Sequence, residues 1–358
     1  MKITKAKLIH YRNYIEEELE FPSQLEFILG RNAQGKTNLL EAIYLACIGK
    51  AFRARTSREA FYERKEAFHV ELFFLEGNRE YHFIYTHKDK KPQLSVNRLP
   101  IERRSELFGL FPMVLFSPEH MRMVREGPAY RRTFFDREIS LVSRTYFHEL
   151  IRYQKLLRSR NILLKENYDP FQMDVYEEKM ASYAKGIFEK RQSFVQRLEE
   201  KSAEIHSFLS GGKEELRLSY RSSLQGVDDL RKRFKNDREK DKSLGYTSFG
   251  PQSDDMQIEI DGKDARRYAS QGQARIASLS IFFGLIPFIE EEVEKKPIIL
   301  LDDVFSELDR FRRHQLLDLL QNHQILLTST DLDGIDLSQL GEYHTTNIEE
   351  GRKLQDEQ

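Results

Sequence analysis

The sequence predicts an α/β fold with two lobes. Strand-like segments, with alternating or wholly apolar residues, dominate the two ends of the chain, whereas long charged helical segments dominate the middle. We therefore expect residues 1–115 and 245–358 to form one lobe around a mixed sheet, which we term lobe I. Residues 116–244 are expected to form a helical lobe II. A chain of 358 residues is long enough for both lobes.

The amino-terminal segments predict the first half of lobe I. Residues 3–9 and 15–21 alternate apolar and polar side chains, which predicts half-buried strands. The apolar run Leu25–Leu29 ends at a glycine and predicts a buried strand. Residues 38–48 have the spacing of a helix. Turn residues then separate three further predicted strands, at 67–75, 80–86 and 93–96.

The remaining segments complete the two lobes. In lobe II a long helix is predicted over Phe171–Leu209, between Pro170 and a pair of glycines. After Thr247 the α/β pattern returns. The predicted elements there are a strand at 256–260, a helix at 273–289, a strand at 298–301, a helix at 310–322 and a strand at 324–328.

The composition excludes several classes of protein. The single cysteine, Cys47, leaves no disulfide framework and no all-cysteine metal site, which favours a reducing, cytoplasmic compartment. Lys and Arg total 57 and Asp and Glu total 58, so any DNA-binding surface must be a local patch. The chain does not start like a signal peptide, and its longest apolar stretch, Ile276–Ile289, is too short to span a bilayer. No membrane association is therefore expected.

A phosphate-binding loop follows the third predicted strand. The pattern G-x-x-x-x-G-K-[ST] is matched by Gly30, Arg31, Asn32, Ala33, Gln34, Gly35, Lys36 and Thr37. In such a loop the backbone N–H groups surround the β-phosphate, the lysine reaches the β- and γ-phosphates, and the hydroxyl binds Mg²⁺. We therefore predict that this phosphate loop binds ATP, with Lys36 in a catalytic role and Thr37 as a metal ligand.

Two carboxylates end a later apolar strand. The run Ile298–Leu301 is typical of a strand buried on both faces, and Asp302 and Asp303 follow it directly. A phosphate loop of this type works with a carboxylate on a neighbouring strand that holds Mg²⁺. Asp302 is therefore predicted to serve the metal, and Asp303 to orient or deprotonate the attacking water.

A second anion-binding segment precedes the helix predicted at 273–289. This signature segment comprises Ser270, Gln271, Gly272 and Gln273, and it combines a hydroxyl, a glycine and a helix N-terminus. One phosphate chain hardly needs two such cradles in one monomer. We therefore predict that the segment binds the nucleotide held by another copy, in an ATP-dependent homodimer. Taken alone, the pattern is also that of an ordinary helix start.

These motifs, in this order, resemble the ABC-type ATPase heads, in which a signature segment contacts ATP across a dimer interface. Ser306–Asp309 resembles the D-loop of that superfamily, so the expected fold class is a P-loop NTPase of the ABC ATPase type. Within the superfamily, the chain is similar to the RecF family of bacterial recombination mediators, whose heads are SMC-like. Further segments carry this resemblance: YRNY at 11–14, FSPE at 116–119, RRTFFD at 131–136, RNILL at 160–164, and a Gly-Pro and an Asp-Asp pair within 250–255.

The resemblance implies a function and partners. A RecF-like protein is expected to bind double-stranded and gapped DNA without reading its sequence. With RecR and RecO it promotes RecA loading on DNA coated by single-strand-binding protein, and weak, DNA-stimulated ATP hydrolysis resets it. Gln252 and Ser253 stand where the family usually has His-Arg. Asp303 replaces the longer glutamate of transporter ATPases, and its carboxylate must reach further, so slow hydrolysis is expected.

Three basic clusters in lobe II are candidates for DNA contact, because such groups bind phosphates without reading sequence. They are Arg122, Arg125, Arg131, Arg132 and Arg137; Arg152, Lys155, Arg158 and Arg160; and Arg231, Lys232, Arg233 and Lys235. In a chain with 32% charged residues, a basic run also fits a solvated face. Spacing alone therefore does not locate a DNA site.

Other functions stay open on the residues alone. A P-loop phosphotransferase or kinase acting on a small molecule needs Lys36 and Asp302, but it leaves Ser270–Gln273 and Ser306–Asp309 without a role. The ATPase subunit of a transporter is disfavoured because Thr328–Asp331 contains no switch histidine. Dimerisation driven by ATP separates the RecF-like function from the kinase, because a kinase stays monomeric with ATP.

Overall fold

The computed structural model describes residues 1–49, 60–62, 65–88, 91–166, 168–226, 229–333 and 335–354. The chain divides into two units. Unit 1 contains Met1–Met121 and Leu285–Gln358, and unit 2 contains Arg122–Gly284. Unit 1 holds a mixed sheet and unit 2 is mainly helical, which confirms the predicted fold class.

The elements follow the predicted order closely. The strands are β1 (Lys2–Tyr11), β2 (Tyr14–Glu20), β3 (Leu25–Leu29), β4 (Ala67–Glu76), β5 (Arg79–Lys88), β6 (Lys91–Val96), β7 (Leu99–Ile101), β8 (Met113–Phe116), β9 (Leu216–Arg221), β10 (Asp255–Ile260), β11 (Lys263–Asp264), β12 (Ile298–Asp302), β13 (Ile325–Ser329), β14 (Tyr343–Glu349) and β15 (Arg352–Lys353). The helices are α1 (Lys36–Ile48), α2 (Arg122–Arg125), α3 (Pro128–Val142), α4 (Arg144–Leu163), α5 (Pro170–Ser210), α6 (Leu230–Asn236), α7 (Arg238–Leu244), α8 (Ala265–Tyr268), α9 (Gln271–Val293) and α10 (Arg310–Leu320).

The first sheet of unit 1 is antiparallel, with the strand order β2-β1-β4-β5-β6-β7. Its strands bury alternate residues, as the sequence pattern predicts for a sheet with one covered face. In β4, for example, Phe68, Val70, Leu72 and Phe74 are buried. This covered face provides one wall for helix α1.

The second sheet of unit 1 positions the candidate site. Its order is β15-β14-β3-β13-β12-β8, and the strands from β14 to β8 run parallel. Strand β13 lies between β3 and β12, with Ser329 opposite Leu29 and Thr328 opposite Asp302. Because parallel strands end at one edge of a sheet, the loop after β3 meets Asp302, the last residue of β12, and Asp303, which follows it.

Helix α1 lies between the two sheets and contacts strands β1 and β4 of one and β12 and β13 of the other. Its residues from Leu39 to Ile48 are all buried. The sequence NLLEAIYLACI is apolar around most of its circumference, which is typical of a helix enclosed on all sides. Both sheets therefore fix the direction in which the N-terminus of α1 points.

Unit 2 is built around the long helix α5. Asp169 caps its N-terminus by accepting a hydrogen bond from Phe171 N, and Gly211 ends it in a left-handed conformation. The predicted helix over 171–209 is thus confirmed. Among the described residues, no helix is both long enough and apolar enough to cross a membrane.

The second boundary between the units differs from the predicted one. Residues 245–284 were expected in lobe I, whereas the structure includes them in unit 2. The reason is strand pairing: β10 pairs with β9 along its full length and also with β11, so this segment belongs to a sheet of the second unit. The first boundary, expected after residue 115, lies after Met121.

Two buried arginines hold unit 2 together. Arg160 is fully buried and forms ion pairs with Glu177 (3.0 Å) and Asp241 (2.7 Å). Arg191 is 2% exposed and pairs with Asp254 at 2.7 Å. Buried ion pairs cost much to break, because loss of one partner leaves the other charged and unsolvated. Arg160, a candidate for DNA contact on sequence, is therefore a core residue.

Candidate nucleotide-binding site

The phosphate loop turns sharply out of β3 and into α1. Gly30 has φ +152° and Gly35 has φ +115°, conformations that side chains with a Cβ rarely adopt. A Cβ on Gly30 would lie 2.3 Å from the carbonyl oxygen of Ile348, and one on Gly35 would lie 2.7 Å from Asn13 Nδ2. The motif glycines are therefore required by the path of the backbone.

The N-terminus of α1 is open to an anion. Gly35 supplies no side-chain cap, and the first turn of the helix carries no acidic residue. By contrast, α4 and α10 are capped by the side chains of Ser143 and Asp309. Uncapped N–H groups and the positive end of the helix dipole together favour a phosphate at this position.

Lys36 lies over the loop and is 7% exposed. Its Nζ donates hydrogen bonds to the carbonyl oxygens of Gly30 (2.5 Å) and Arg31 (2.9 Å). Burial lowers the pKa of the ammonium group, and the nearby carboxylates of Asp303 and Asp302 oppose this change. Lys36 is thus held at the loop with both acidic side chains close enough to influence it.

The hydroxyl of Thr37 and the carboxylate of Asp302 meet at the edge of the second sheet. Thr37 Oγ1 donates to Asp302 Oδ1 at 2.7 Å, and Thr328 Oγ1 donates to the same oxygen at 2.9 Å. Asp302 is only 4% exposed. A hydroxyl and a carboxylate side by side are oxygen donors of the kind that Mg²⁺ prefers, so the residues fit the predicted metal.

Asp303 continues the chain in an unusual conformation. Its φ is +50°, in the left-handed region that aspartate adopts more readily than most residues. Its backbone N–H donates to Thr328 Oγ1 at 3.0 Å, which ties the residue to β13. Strain of this kind, on the order of 1–3 kcal/mol, is concentrated at functional sites. The structure therefore brings together Lys36, Thr37, Asp302 and Asp303, as the motifs predict.

Asn13 supports the phosphate loop through side-chain hydrogen bonds, a role that the sequence alone did not reveal. Its Nδ2 donates to the carbonyl oxygen of Gln34 (3.0 Å), and its Oδ1 accepts from Asn38 Nδ2 (2.8 Å). Tyr14 Oη donates to the carbonyl oxygen of Gly35 at 3.0 Å. The segment YRNY, recognised only as part of a family pattern, therefore fixes both the loop and the first turn of α1.

A second support comes from the far end of the chain. In the turn between β14 and β15, the N–H of Gly351 donates to the carbonyl oxygen of Gln34 (2.8 Å), and the N–H of Glu350 donates to Gln34 Oε1 (2.7 Å). Thr328 also supports the site with its hydroxyl, although the sequence draws attention to Thr328–Asp331 only because that segment contains no histidine. In the sequence, Thr328 is simply a polar residue after an apolar run, a pattern too common to single it out.

The signature segment lies in unit 2, at the start of α9. Ser270 Oγ accepts from Gln273 N (3.2 Å), and Ser270 N donates to Gln273 Oε1 (2.9 Å), which forms a capping box. Ser270, Gln271 and Gly272 are exposed. A Cβ on Gly272 would have no neighbour within 4 Å. The segment is thus an ordinary helix start within its own chain and presents an open surface.

The D-loop-like segment follows the acidic pair in unit 1. Ser306 Oγ donates to the carbonyl oxygen of Asp303 at 2.8 Å, and Asp309 caps α10. Phe305 and Leu308 are buried, whereas Ser306 and Asp309 are exposed. Ser306 and Asp309 therefore face solvent close to Asp303 in the chain.

Comparisons with known proteins agree with this geometry. A family model described as the RecF/RecN/SMC N terminal domain matches residues 2–334. The DNA replication and repair protein RecF of Clostridium acetobutylicum is 35% identical, with 98% of this chain and 99% of that protein covered. The chain belongs to the RecF family. The RecF of Clostridium tetani is 36% identical, with 94% of each chain covered.

Solved structures place the RecF fold on the whole chain. A structure of the recombination mediator protein RecF with ATP, in the RecFOR pathway, has a TM-score of 0.89 and 31% identity, with 99% of this chain and 97% of that chain covered. The Smc head domain of Pyrococcus furiosus has a TM-score of 0.56 at 16% identity, a likeness of fold alone. The predicted resemblance to RecF and to SMC-like heads is confirmed.

Gln252 and Ser253, which stand where the resemblance leads us to expect a His-Arg pair, both form hydrogen bonds within this chain. Gln252 Oε1 accepts from Tyr153 Oη (2.6 Å), while its Nε2 donates to the carbonyl oxygens of Thr247 and Phe249 (3.0 Å each). Ser253 Oγ donates to the carbonyl oxygen of Gly250 at 2.7 Å. The side chains of Gln252 and Ser253 therefore hold the turn before β10 with hydrogen bonds.

Proposed function

We propose that this protein is an ATP-controlled recombination mediator that binds DNA as a dimer. The observation that carries the proposal is the meeting of Lys36, Thr37 and Asp302 at one sheet edge, with 2.7 Å between Thr37 Oγ1 and Asp302 Oδ1. This arrangement supports binding of ATP with Mg²⁺. Membership of the RecF family supports the role in DNA replication and repair.

Each residue of the loop has a specific task in this proposal. The N–H groups of the loop residues Gly30–Thr37, and those at the start of α1, surround the β-phosphate, because the N-cap residue Gly35 provides no side-chain cap to that helix. Lys36 releases the carbonyl oxygens of Gly30 and Arg31 and donates to the β- and γ-phosphates. Thr37 and Asp302 hold the metal, which neutralises phosphate charge when bound.

Asp303 is proposed to be the catalytic base. Asp303 follows Asp302 directly and its N–H donates to Thr328 Oγ1, which places the residue at the same sheet edge; its charge also acts on Lys36. There it orients and deprotonates the attacking water. Aspartate is one methylene shorter than the glutamate of transporter ATPases, so hydrolysis is slow and serves to reset the dimer.

The second half of the ATP site is proposed to come from another copy. Ser270, Gln271 and Gly272 are exposed at the N-terminus of α9, where a helix dipole favours an anion. Gln273 holds this turn in shape through the capping box. Among the described residues, none lies within 4 Å of a Cβ built on Gly272, so the position leaves room for a γ-phosphate and a second subunit.

The partners follow from the family. The solved relatives are described as recombination mediators in the RecFOR pathway, which supports RecR and RecO as partners here. The dimer holds double-stranded DNA next to a single-strand gap without reading its sequence. Together with RecR and RecO it promotes RecA loading on DNA coated by single-strand-binding protein.

Size-exclusion chromatography with and without ATP and Mg²⁺ tests the dimer. The wild type is expected to shift to twice its mass with ATP, and Ser270→Arg is expected to remain monomeric while still binding ATP. Ser143→Arg is the matched control, because Ser143 caps α4 by the same contact that Ser270 makes on α9. Both variants lose a cap contributing about 1 kcal/mol, so a difference between them reflects the interface.

Two results would contradict the proposal. A wild type that stays monomeric with bound ATP would favour a small-molecule kinase, which has no use for the signature segment. A Ser270→Arg variant that dimerises like Ser143→Arg would show that the signature segment lies outside the interface.

A further inference from the structure

One face of helix α4 carries a row of three cations and a histidine. His148, Arg152, Lys155 and Arg158 are all exposed. At 3.6 residues per turn they fall within an arc of about 120° around the helix axis. The opposite face is buried through Tyr146, Leu150 and Tyr153. We call these four exposed residues the cationic row.

The described part of the chain provides no ion-pair partner for the cationic row. Among the described residues, which include all of α4, no carboxylate forms an ion pair with a member of the row. Glu149 is the one acidic residue of α4, and its carboxylate lies against the backbone of α5, where a Cβ on Gly186 would be 2.7 Å from Glu149 Oε2. The row therefore presents positive charge without a local counter-charge.

The other basic clusters of unit 2 are used within the fold. Arg131 is 5% exposed and pairs with Asp255 at 2.7 Å, and Arg122 pairs with Glu126. On α6 three of the four cations pair with acids: Arg231 with Glu178 (3.5 Å), Arg233 with Asp237 (2.8 Å) and Lys235 with Asp174 (3.8 Å). The sequence alone did not distinguish the three basic clusters as DNA sites. In the structure, the cluster on α4 is the one whose exposed side chains form no ion pair with any described residue.

We propose that the cationic row binds the sugar-phosphate backbone of DNA. This inference rests on the proposed function and adds the place of contact. From His148 to Arg158 the helix rises about 15 Å, which matches roughly four phosphates of one strand at about 3.4 Å each along the duplex axis. Side-chain cations in a row contact phosphates and read no bases, as a protein that acts at any gap requires.

The charge of the whole chain makes this local row necessary. With a net charge of −1, the protein has no general attraction for a polyanion. A surface strip with cations and no acids supplies that attraction at one place. An acidic protein partner is the alternative occupant, and the experiment below separates it from DNA.

The test compares two triple variants of the full chain. Arg152→Gln/Lys155→Gln/Arg158→Gln removes three charges from the row, and glutamine keeps a good helix propensity. The control, Arg231→Gln/Arg233→Gln/Lys235→Gln, removes three charges from α6, where acids already pair with them. Fluorescence anisotropy with a labelled gapped duplex, ATP and Mg²⁺ gives the association constant over a range of salt concentrations.

The row variant is expected to bind the duplex on the order of a hundredfold more weakly at 0.1 M salt. Its slope of log K against log salt is expected to be smaller in magnitude by about 2.7, or about 0.9 for each lost phosphate contact. The control is expected to keep the wild-type slope. Both variants are expected to dimerise with ATP as the wild type does.

Each contrary result has a defined meaning. A row variant with the wild-type slope overturns the inference, assigns the row to another ligand such as an acidic protein, and leaves the proposed function standing. Equal losses in the row variant and the control also overturn it. Loss of the ATP-driven dimer in the row variant would assign the row to self-association instead. A wild type that binds no DNA under any nucleotide condition would overturn the proposed function itself, and the row with it.

Discussion

Asn13 offers the sharpest test of how the phosphate loop is held. It makes two side-chain hydrogen bonds, one to the backbone of Gln34 (3.0 Å) and one with the side chain of Asn38 (2.8 Å). Each such bond contributes about 1 kcal/mol net. Asn13→Ala is therefore expected to destabilise the phosphate-loop conformation seen in the structure by up to about 2 kcal/mol. The loss is limited to these two bonds, because the bond from Gly351 N to Gln34 is retained.

The loss is expected to weaken ATP binding. If the full 2 kcal/mol is expressed in the loop, the dissociation constant rises by up to about thirtyfold. Isothermal calorimetry measures the affinity for ATP, and urea unfolding measures the free energy of unfolding of the same samples. The fold of the rest of unit 1 is expected to be unchanged, because Asn13 lies in a turn and is only partly buried.

A matched control separates loop support from general stability. Asn161, also partly buried, accepts hydrogen bonds from N and Oγ1 of Thr247 at 2.8 and 2.7 Å in unit 2. Asn161→Ala is expected to lose comparable unfolding free energy while it binds ATP with wild-type affinity. Equal ATP affinities in the Asn13 variant and the wild type would refute the reasoning, because the loop would then hold its shape without the asparagine.

Four further predictions concern the site itself. Lys36→Met is expected to weaken ATP binding by about tenfold to a hundredfold or more in calorimetry, since a charge-assisted bond to phosphate is worth about 1.5–3 kcal/mol; unchanged affinity would reject the site. Asp303→Asn is expected to stop hydrolysis in a phosphate-release assay yet keep the ATP-bound dimer, and normal turnover would place the base elsewhere. Thr328→Val keeps the side-chain shape but removes both contacts to the acidic pair; it is expected to raise the Mg²⁺ concentration needed for half-maximal hydrolysis, and an unaltered requirement would make Thr328 purely structural. Gly272→Ala is expected to raise the melting temperature slightly, because alanine favours a helix by about 0.5–1 kcal/mol. It is also expected to weaken the ATP-driven dimer, and a tighter dimer would contradict the proposal that Gly272 leaves room for the second subunit.

The phosphate loop and Asp302 were predictable because their chemistry is local. A loop that wraps a phosphate needs glycines, a lysine and a hydroxyl within a few consecutive residues, and that density is rare by chance. The apolar run before Asp302 marks a strand buried on both faces. Their meeting at 2.7 Å follows from parallel strands that end at one edge.

The supports of the site were not predictable, because each is a contact between distant parts of the chain. Nothing in residues 350–351 marks them as partners of Gln34. The edge of lobe I was misplaced for the same reason. Strand β9 follows two glycines in a charged region, and its pairing with β10 becomes visible only in three dimensions. Arg160 was grouped with surface cations because its buried carboxylate partners lie 17 and 81 residues away.

The turn at Gly351 has a consequence for biosynthesis. The loop at Gln34 receives a hydrogen bond from the backbone amide of Gly351, a residue that the ribosome adds more than three hundred positions later. During translation, the nascent polypeptide therefore carries an incomplete cradle until Gly351 has emerged. In the proposed function, the loop gains its full support for nucleotide, and for the dimer that depends on nucleotide, only once the chain has been made at least to Gly351.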